Sequence, residues 1–195
     1  ITALAGTRCL DTAIASSRLE HLEEARARGL AKPLMAIRIP MMSEVDDLVR
    51  IADMSLNSEP AVIEAIDRAC AATGRRHGIV LMADLGDLRE GFYDADELVR
   101  CAVWIEKELS HVDLLGIGTN LGCYGSINAT PDKMLDLVAL AEAVETAIGR
   151  PLEIVSGGGT TSFPLVMNGT MPSKINHLRV GEGIAVGKDL QDIWN

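Results

Sequence analysis

The chain has 195 residues, 48% of them hydrophobic, enough for one buried core, so a single domain over 1–195 is expected. A formal net charge of −10 repels phosphate backbones and argues against nucleic acid as a partner. No apolar run reaches the ~20 residues of a membrane span, and Cys9, Cys70, Cys101 and Cys123 form no CxxC pair, so the expectation is reduced thiols in a cytoplasmic protein with no membrane partner, zinc site or disulfide framework.

Residues 1–10 lack the charged start and long apolar stretch of a signal peptide. The chain opens without Met and stops at Trp194-Asn195 where a helix begins, so both ends read as cuts. Strands are expected at 13–15, 33–39, 53–56, 78–84, 112–119, 152–156 and 177–180. Helices are expected between them, at 17–27, 43–51, 60–72, 94–109 and 131–148, with Ser43 as an N-cap and Pro60 and Pro131 in first turns. Strands that alternate with helical crossovers give an α/β fold with a parallel sheet, and strands apolar on both faces agree with it. The pattern itself fits a barrel and an open doubly wound sheet alike. In either, function belongs to polar residues at the carboxyl ends of strands.

Four such ends are rich in glycine and small polar residues: 84–91 (DLGDLREG), 118–125 (GTNLGCYG), 156–162 (SGGGTTS) and 179–183 (RVGEG). The last two have the makings of an anion site, with glycines that let N–H groups converge and hydroxyls that add donors. A glycine-rich turn without a ligand fits as well. No Gly-Lys-Ser/Thr follows, so this is not a P-loop. Arg179 beside that nest reads either as a partner for an anion or ring nitrogen or as a surface ion pair. Arg89 reads as a local bridge to Asp84 or Asp87, and Cys123 as a small packed group with Tyr124 closing a pocket wall. His21 and His111 go with helical stretches, His77 with a loop, and His177 just before a strand. None has metal-ligand spacing, so no metal site is expected. Glu23, Glu24, Glu142 and Glu145 read as solvated helix faces.

Several segments in chain order resemble the ornithine racemase branch of the alanine racemase N-terminal domain family, the fold type III pyridoxal 5'-phosphate (PLP) barrels. They are 14–22 (IASSRLEHL), 38–44 (RIPMMSE), 55–59 (SLNSE), 84–91, 115–121 (LGIGTNL) with Cys123-Tyr124-Gly125, 156–158 and 178–182 (LRVGE). The resemblance implies a (β/α)8 TIM-type PLP-binding barrel. The first strand, with the Schiff-base lysine, and the C-terminal β domain are expected to lie outside this chain. It implies that Gly181 and Glu182 offer N–H groups to the cofactor phosphate, with Gly159, Thr160 and Thr161 beside them. It implies that Arg179 faces the pyridine nitrogen, keeping it unprotonated, and that Arg89 lies near the phenolic oxygen. Asn120 stands where alanine racemases carry histidine, and Gly159-Thr160 replaces the usual Asn-Ser. Lys32, Lys107, Lys133, Lys174 and Lys188 match no cofactor-lysine motif. The resemblance implies racemisation of ornithine or a related basic amino acid by a homodimeric full-length enzyme, the fragment alone being inactive. Cys123 is a candidate for the second proton donor. A non-catalytic PLP-binding protein of the same barrel and a phosphate-binding barrel without PLP are the competing readings.

Overall fold

The structure, a computed structural model, describes residues 13–123 and 127–187. Cys9, Tyr124, Lys188 and the chain ends, including Trp194, lie outside the described residues. The elements in order are β1 (Ile14–Ser16), α1 (Leu19–Ala27), β2 (Leu34–Ala36), a 3₁₀ turn (Met42–Glu44), α2 (Val45–Ile51), β3 (Met54–Asn57), α3 (Pro60–Thr73) and β4 (His77–Ala83). Then come α4 (Ala95–Glu108), β5 (Val112–Thr119), α5 (Pro131–Ile148), β6 (Ile154–Gly159), a second 3₁₀ turn (Thr160–Ser162), α6 (Phe163–Met167), β7 (His177–Arg179) and α7 (Glu182–Val186). The chain divides into two compact units, 1–79 with 108–113, and 80–107 with 114–195.

In the first unit β1, β2 and β3 run parallel, pairing Ile14 with Leu34, Met35 with Met54 and Ala36 with Ser55. The start of β4 follows, Gly78 donating to the Asp53 carbonyl. Leu22 of α1, Leu48 of α2 and Ile63 and Ile66 of α3 are buried with Leu34 and Leu56 of the strands. Each side chain so buried contributes roughly 1.5–3 kcal/mol. Helix α3 takes Pro60 in its first turn and ends on Gly74 in the left-handed region. Ser43 does not cap α2. It sits inside the 3₁₀ turn, and the α2 N-cap is Glu44, whose carboxylate accepts from the Met41 N–H. The 33–39 run forms only a three-residue strand.

His77 is in β4 rather than a loop, and it is buried. Its Nε2 lies 2.8 Å from Ser55 Oγ, which also accepts from Asn57 Nδ2. Burial pushes the imidazole down to about 4, partly opposed by the Ala52 backbone, so it is neutral at physiological pH.

In the second unit the end of β4 is followed by β5, β6 and β7, all parallel. Leu98, Ala102 and Ile105 of α4 and Met134, Leu137, Ala141 and Val144 of α5 form the apolar helix faces. Thr130 caps α5 by accepting from the Lys133 N–H. Glu145 is not simply solvated: it accepts from Lys174 and from the Leu152 N–H, and Lys174 holds its carboxyl below the usual range. Cys101 is pushed up to about 12 by burial, which leaves it an inert packing group. β6 runs on through three glycines to Gly159, beyond the Ser156 expected from the sequence, and the 3₁₀ turn and α6 occupy what reads as loop.

Candidate cofactor site

The carboxyl ends of β4 to β7 in the second unit bring together most of the residues singled out from the sequence. The junction of β6 and β7 comes first. Ser156 pairs with His177 and Gly159 with Arg179, so β6 holds one residue more than β7 between those pairs, a bulge. Gly158 sits in it at φ 110°, and a Cβ there would stand 2.6 Å from Ser162 Oγ. Only glycine serves such a position without strain. The bulge delivers Thr160 to the start of α7, where its Oγ1 accepts from the Gly183 N–H at 3.1 Å. The two glycine-rich segments therefore meet. Thr160 keeps its hydroxyl proton to give, whereas Thr161 gives its own to the Leu121 carbonyl. The first turn of α7 begins at Glu182, with Gly181 as its N-cap, where N–H groups have no helical partner.

Arg179 is not a surface ion pair. It lies deep in the protein and yet retains partly accessible surface, which is the situation of a group at the floor of a recess. NH1 donates to Ser156 Oγ, and NH2 donates to the Thr119 carbonyl at 2.7 Å and to Asn120 Oδ1 at 2.5 Å. Three of its five N–H bonds are thus used on neutral acceptors. Burial pushes it down to about 10, opposed by the carboxylate of Glu90. It is a cation at neutral pH. Ser156 accepts from Arg179 and so gives its single proton to His177 Nδ1, 2.8 Å away. His177 fits that as a neutral ring, pushed down to about 4 by burial and by Arg179. It lies at the start of β7, within the strand expected at 177–180.

Asn120 continues the network from Arg179. Its Nδ2 donates to Glu90 Oε1, and Glu90 Oε2 stands 3.3 Å from Arg89 Nε. Arg89 NH1 in turn contacts Cys123 Sγ at 2.6 Å. Arg89 pairs with its neighbour Glu90. Asp84 Oδ1 instead accepts from the N–H groups of Gly86 and Leu88, and Asp87 Oδ1 from that of Cys123. Cys123 is exposed rather than packed under the loop. Glu90 has no role in the sequence reading, though an acidic neighbour of Arg89 was the signal for it; Ser156, read with the expected anion site, binds Arg179 and His177 instead.

Among the described residues no lysine ends a strand. Lys32 precedes β2, Lys107 lies on α4, Lys133 on α5, and Lys174 pairs with Glu145. No cluster of three metal-ligating side chains occurs among the described residues, and no described helix is long and apolar enough to cross a membrane. The first unit has a cleft of about 360 Å³ lined by Arg18, Glu23, Arg38, Glu44, Asp47 and Arg50. Its charges largely pair with one another, Arg38 with Glu44 and Arg50 with Glu23 and Asp47.

Residues 5–188 match the family described as alanine racemase, N-terminal domain. The chain is 38% identical over 175 residues to the ornithine racemase of Acetoanaerobium sticklandii, covering 90% of this chain and 49% of that protein. It is 36% identical over 183 residues to the lysine racemase of Thermotoga maritima, covering 91% and 49%. The chain thus spans about half the length of the curated relatives it matches. Among solved structures, PipY of Synechococcus elongatus PCC7942, without PLP, has a TM-score of 0.73 at 17% identity over 86% of this chain and 78% of its own. That likeness shows the fold, α/β of the TIM-barrel type. The chain belongs to the alanine racemase N-terminal domain family.

Proposed function

We propose that this chain forms the cofactor-binding part of a PLP-dependent racemase of ornithine or a related basic amino acid. The observation that carries the reading is that two relatives, each more than a third identical over nine-tenths of the chain, are named as racemases of ornithine and of lysine. The residues present fit the cofactor. A deep guanidinium with two N–H bonds uncommitted, a hydroxyl with a proton to give and a junction of glycine-rich turns are a donor set for a phosphorylated pyridine. PipY, of like fold, has also been solved with PLP bound.

PLP, when bound, is an electron sink that acidifies the α-C–H of an attached amino acid. In this reading Thr160, with the N–H groups of Gly181 and Glu182, holds the phosphate, and Gly159 and Thr161 shape the turn around it. Arg179 stays charged and therefore donates to the pyridine nitrogen without protonating it. That limits the sink to the removal and return of one proton. Arg89 faces the phenolic oxygen, and Asn120 sets Arg179. Cys123, beside Arg89 and exposed, is the candidate proton donor on one face. None of the described lysines is placed for the other, so catalysis is assigned to the full-length protein, as a homodimer, and not to these residues alone.

The test is to add PLP to the full-length protein, record the visible absorbance of the bound cofactor, and follow loss of optical rotation from L-ornithine and L-lysine separately. A cofactor band with racemisation of either substrate is expected. A band without racemisation of either would leave a PLP-binding protein that is not a racemase of basic amino acids.

A further inference from the structure

We propose that Glu90 is a positioning residue, whose carboxylate orients Arg89 directly and Arg179 through Asn120, the two arginines that meet the cofactor. The proposal rests on the reading that this site takes PLP.

Glu90 is held from both directions. Its side chain is only 10% exposed, with one oxygen on Asn120 Nδ2 and the other facing Arg89 Nε. Its backbone is fixed as well. The next residue, Gly91, stands at φ 120°, and a Cβ there would lie 2.6 Å from the Asp84 nitrogen. Phe92 then donates to the Met82 carbonyl and accepts from the Asp84 N–H, so the loop folds back on the end of β4. The charged groups that face Glu90 are Arg89 from its own loop and Arg179 from β7, with the Cys123 thiol beyond Arg89.

Two consequences follow from this placement. The Asn120 amide has one orientation: Nδ2 must give to Glu90, so Oδ1 must turn to Arg179. Arg89 likewise is steered through Nε, which leaves its terminal nitrogens to face outward, one of them toward Cys123. In electrostatic terms a carboxylate in a site that takes an anionic cofactor is unfavourable. Its presence there is accounted for by what it orients, Asn120 and Arg89, alongside the support its charge lends Arg179.

That contrast sets the sign of the test. PLP dissociation constants are measured for the full-length protein and for Glu90→Gln, Asn120→Ala and the double variant, with Tm recorded for each. If Glu90 acts by positioning, Glu90→Gln weakens PLP binding on the order of tenfold, the cost of a lost charge-assisted hydrogen bond. In the Asn120→Ala background it then weakens binding less, because part of its effect is already gone. Glu90→Asp, which keeps the charge but shortens the reach, should also bind PLP more weakly. Tighter binding by Glu90→Gln would show that the carboxylate contributes only its charge and would overturn the proposal. So would equal affinities with a lowered Tm, the mark of a purely structural ion pair. If the unmodified protein takes up no PLP, the cofactor reading itself fails, and the role of Glu90 fails with it.

Discussion

Lowering the pH should weaken this protein through His77. The imidazole is buried, with Nε2 on Ser55 Oγ, and its folded-state value lies near 4 against an ordinary 6.5. The unfolded chain therefore binds the proton more readily than the folded one between those values. The stability that the neutral ring contributes is fully present above about pH 6.5 and is lost as pH falls toward 4. At about 1.4 kcal/mol per unit, the full loss is about 3 kcal/mol, of which roughly 2 kcal/mol falls between pH 7 and pH 5. His77→Gln removes the titration while keeping an uncharged polar group. Chemical denaturation of the full-length protein and the variant at pH 7, 6 and 5 measures the difference directly. The variant should be the less stable at pH 7, with its deficit shrinking by about 2 kcal/mol at pH 5. A deficit constant across that range would mean that His77 is not held neutral by burial.

Three further outcomes bear on the site. Arg179→Glu in the full-length enzyme should let the pyridine nitrogen take a proton, so transamination rises relative to racemisation; an unchanged ratio of the two products removes Arg179 from that role. Thr160→Val should cost about tenfold in PLP affinity, read by equilibrium dialysis, by removing the hydroxyl that joins β6 to Gly183. Cys123→Ser, with α-proton exchange followed for each enantiomer in deuterated water, should slow exchange for one enantiomer alone; near-normal exchange for both would return Cys123 to a contact of Arg89.

The long elements were legible where a start signal and a strong pattern coincide. α5 has Pro131 in its first turn and Gly149 after its end, and both its limits and those of β5 fall where the sequence puts them. The failures have local causes. Arg75-Arg76-His77 reads as a polar loop, yet both arginines turn outward, Arg75 to the carbonyls of Val49 and Arg50 and Arg76 to Asp113, while His77 turns inward to Ser55. Ser43 looks like a cap, but it falls inside a 3₁₀ turn one residue before the α2 N-cap, Glu44, whose carboxylate is turned back to the Met41 N–H. The glycines of 157–159 read as a turn, yet β6 runs on through them by way of a bulge against β7, with Gly158 at φ 110° and Gly159 paired to Arg179. For the site, the motif residues were visible and their linkage was not. That Asn120 joins Arg179 to Glu90 depends on how β4, β5 and β7 end relative to one another, which no single segment encodes.

The same linkage bears on why Arg179 sits where it does. A guanidinium this deep ordinarily pairs directly with a carboxylate, because burial of an unpaired charge is costly. Here its three contacts are all to neutral oxygens, and the carboxylate of Glu90 is one residue removed, beyond Asn120. A direct Glu–Arg pair would hold the cation more tightly and leave it little attraction for anything else. With the amide interposed, the charge is stabilised enough to remain in place while its positive field still reaches the recess. The arrangement therefore favours an incoming group with a lone pair or negative charge. The free energy gained when such a group binds then adds to folding stability through mass action.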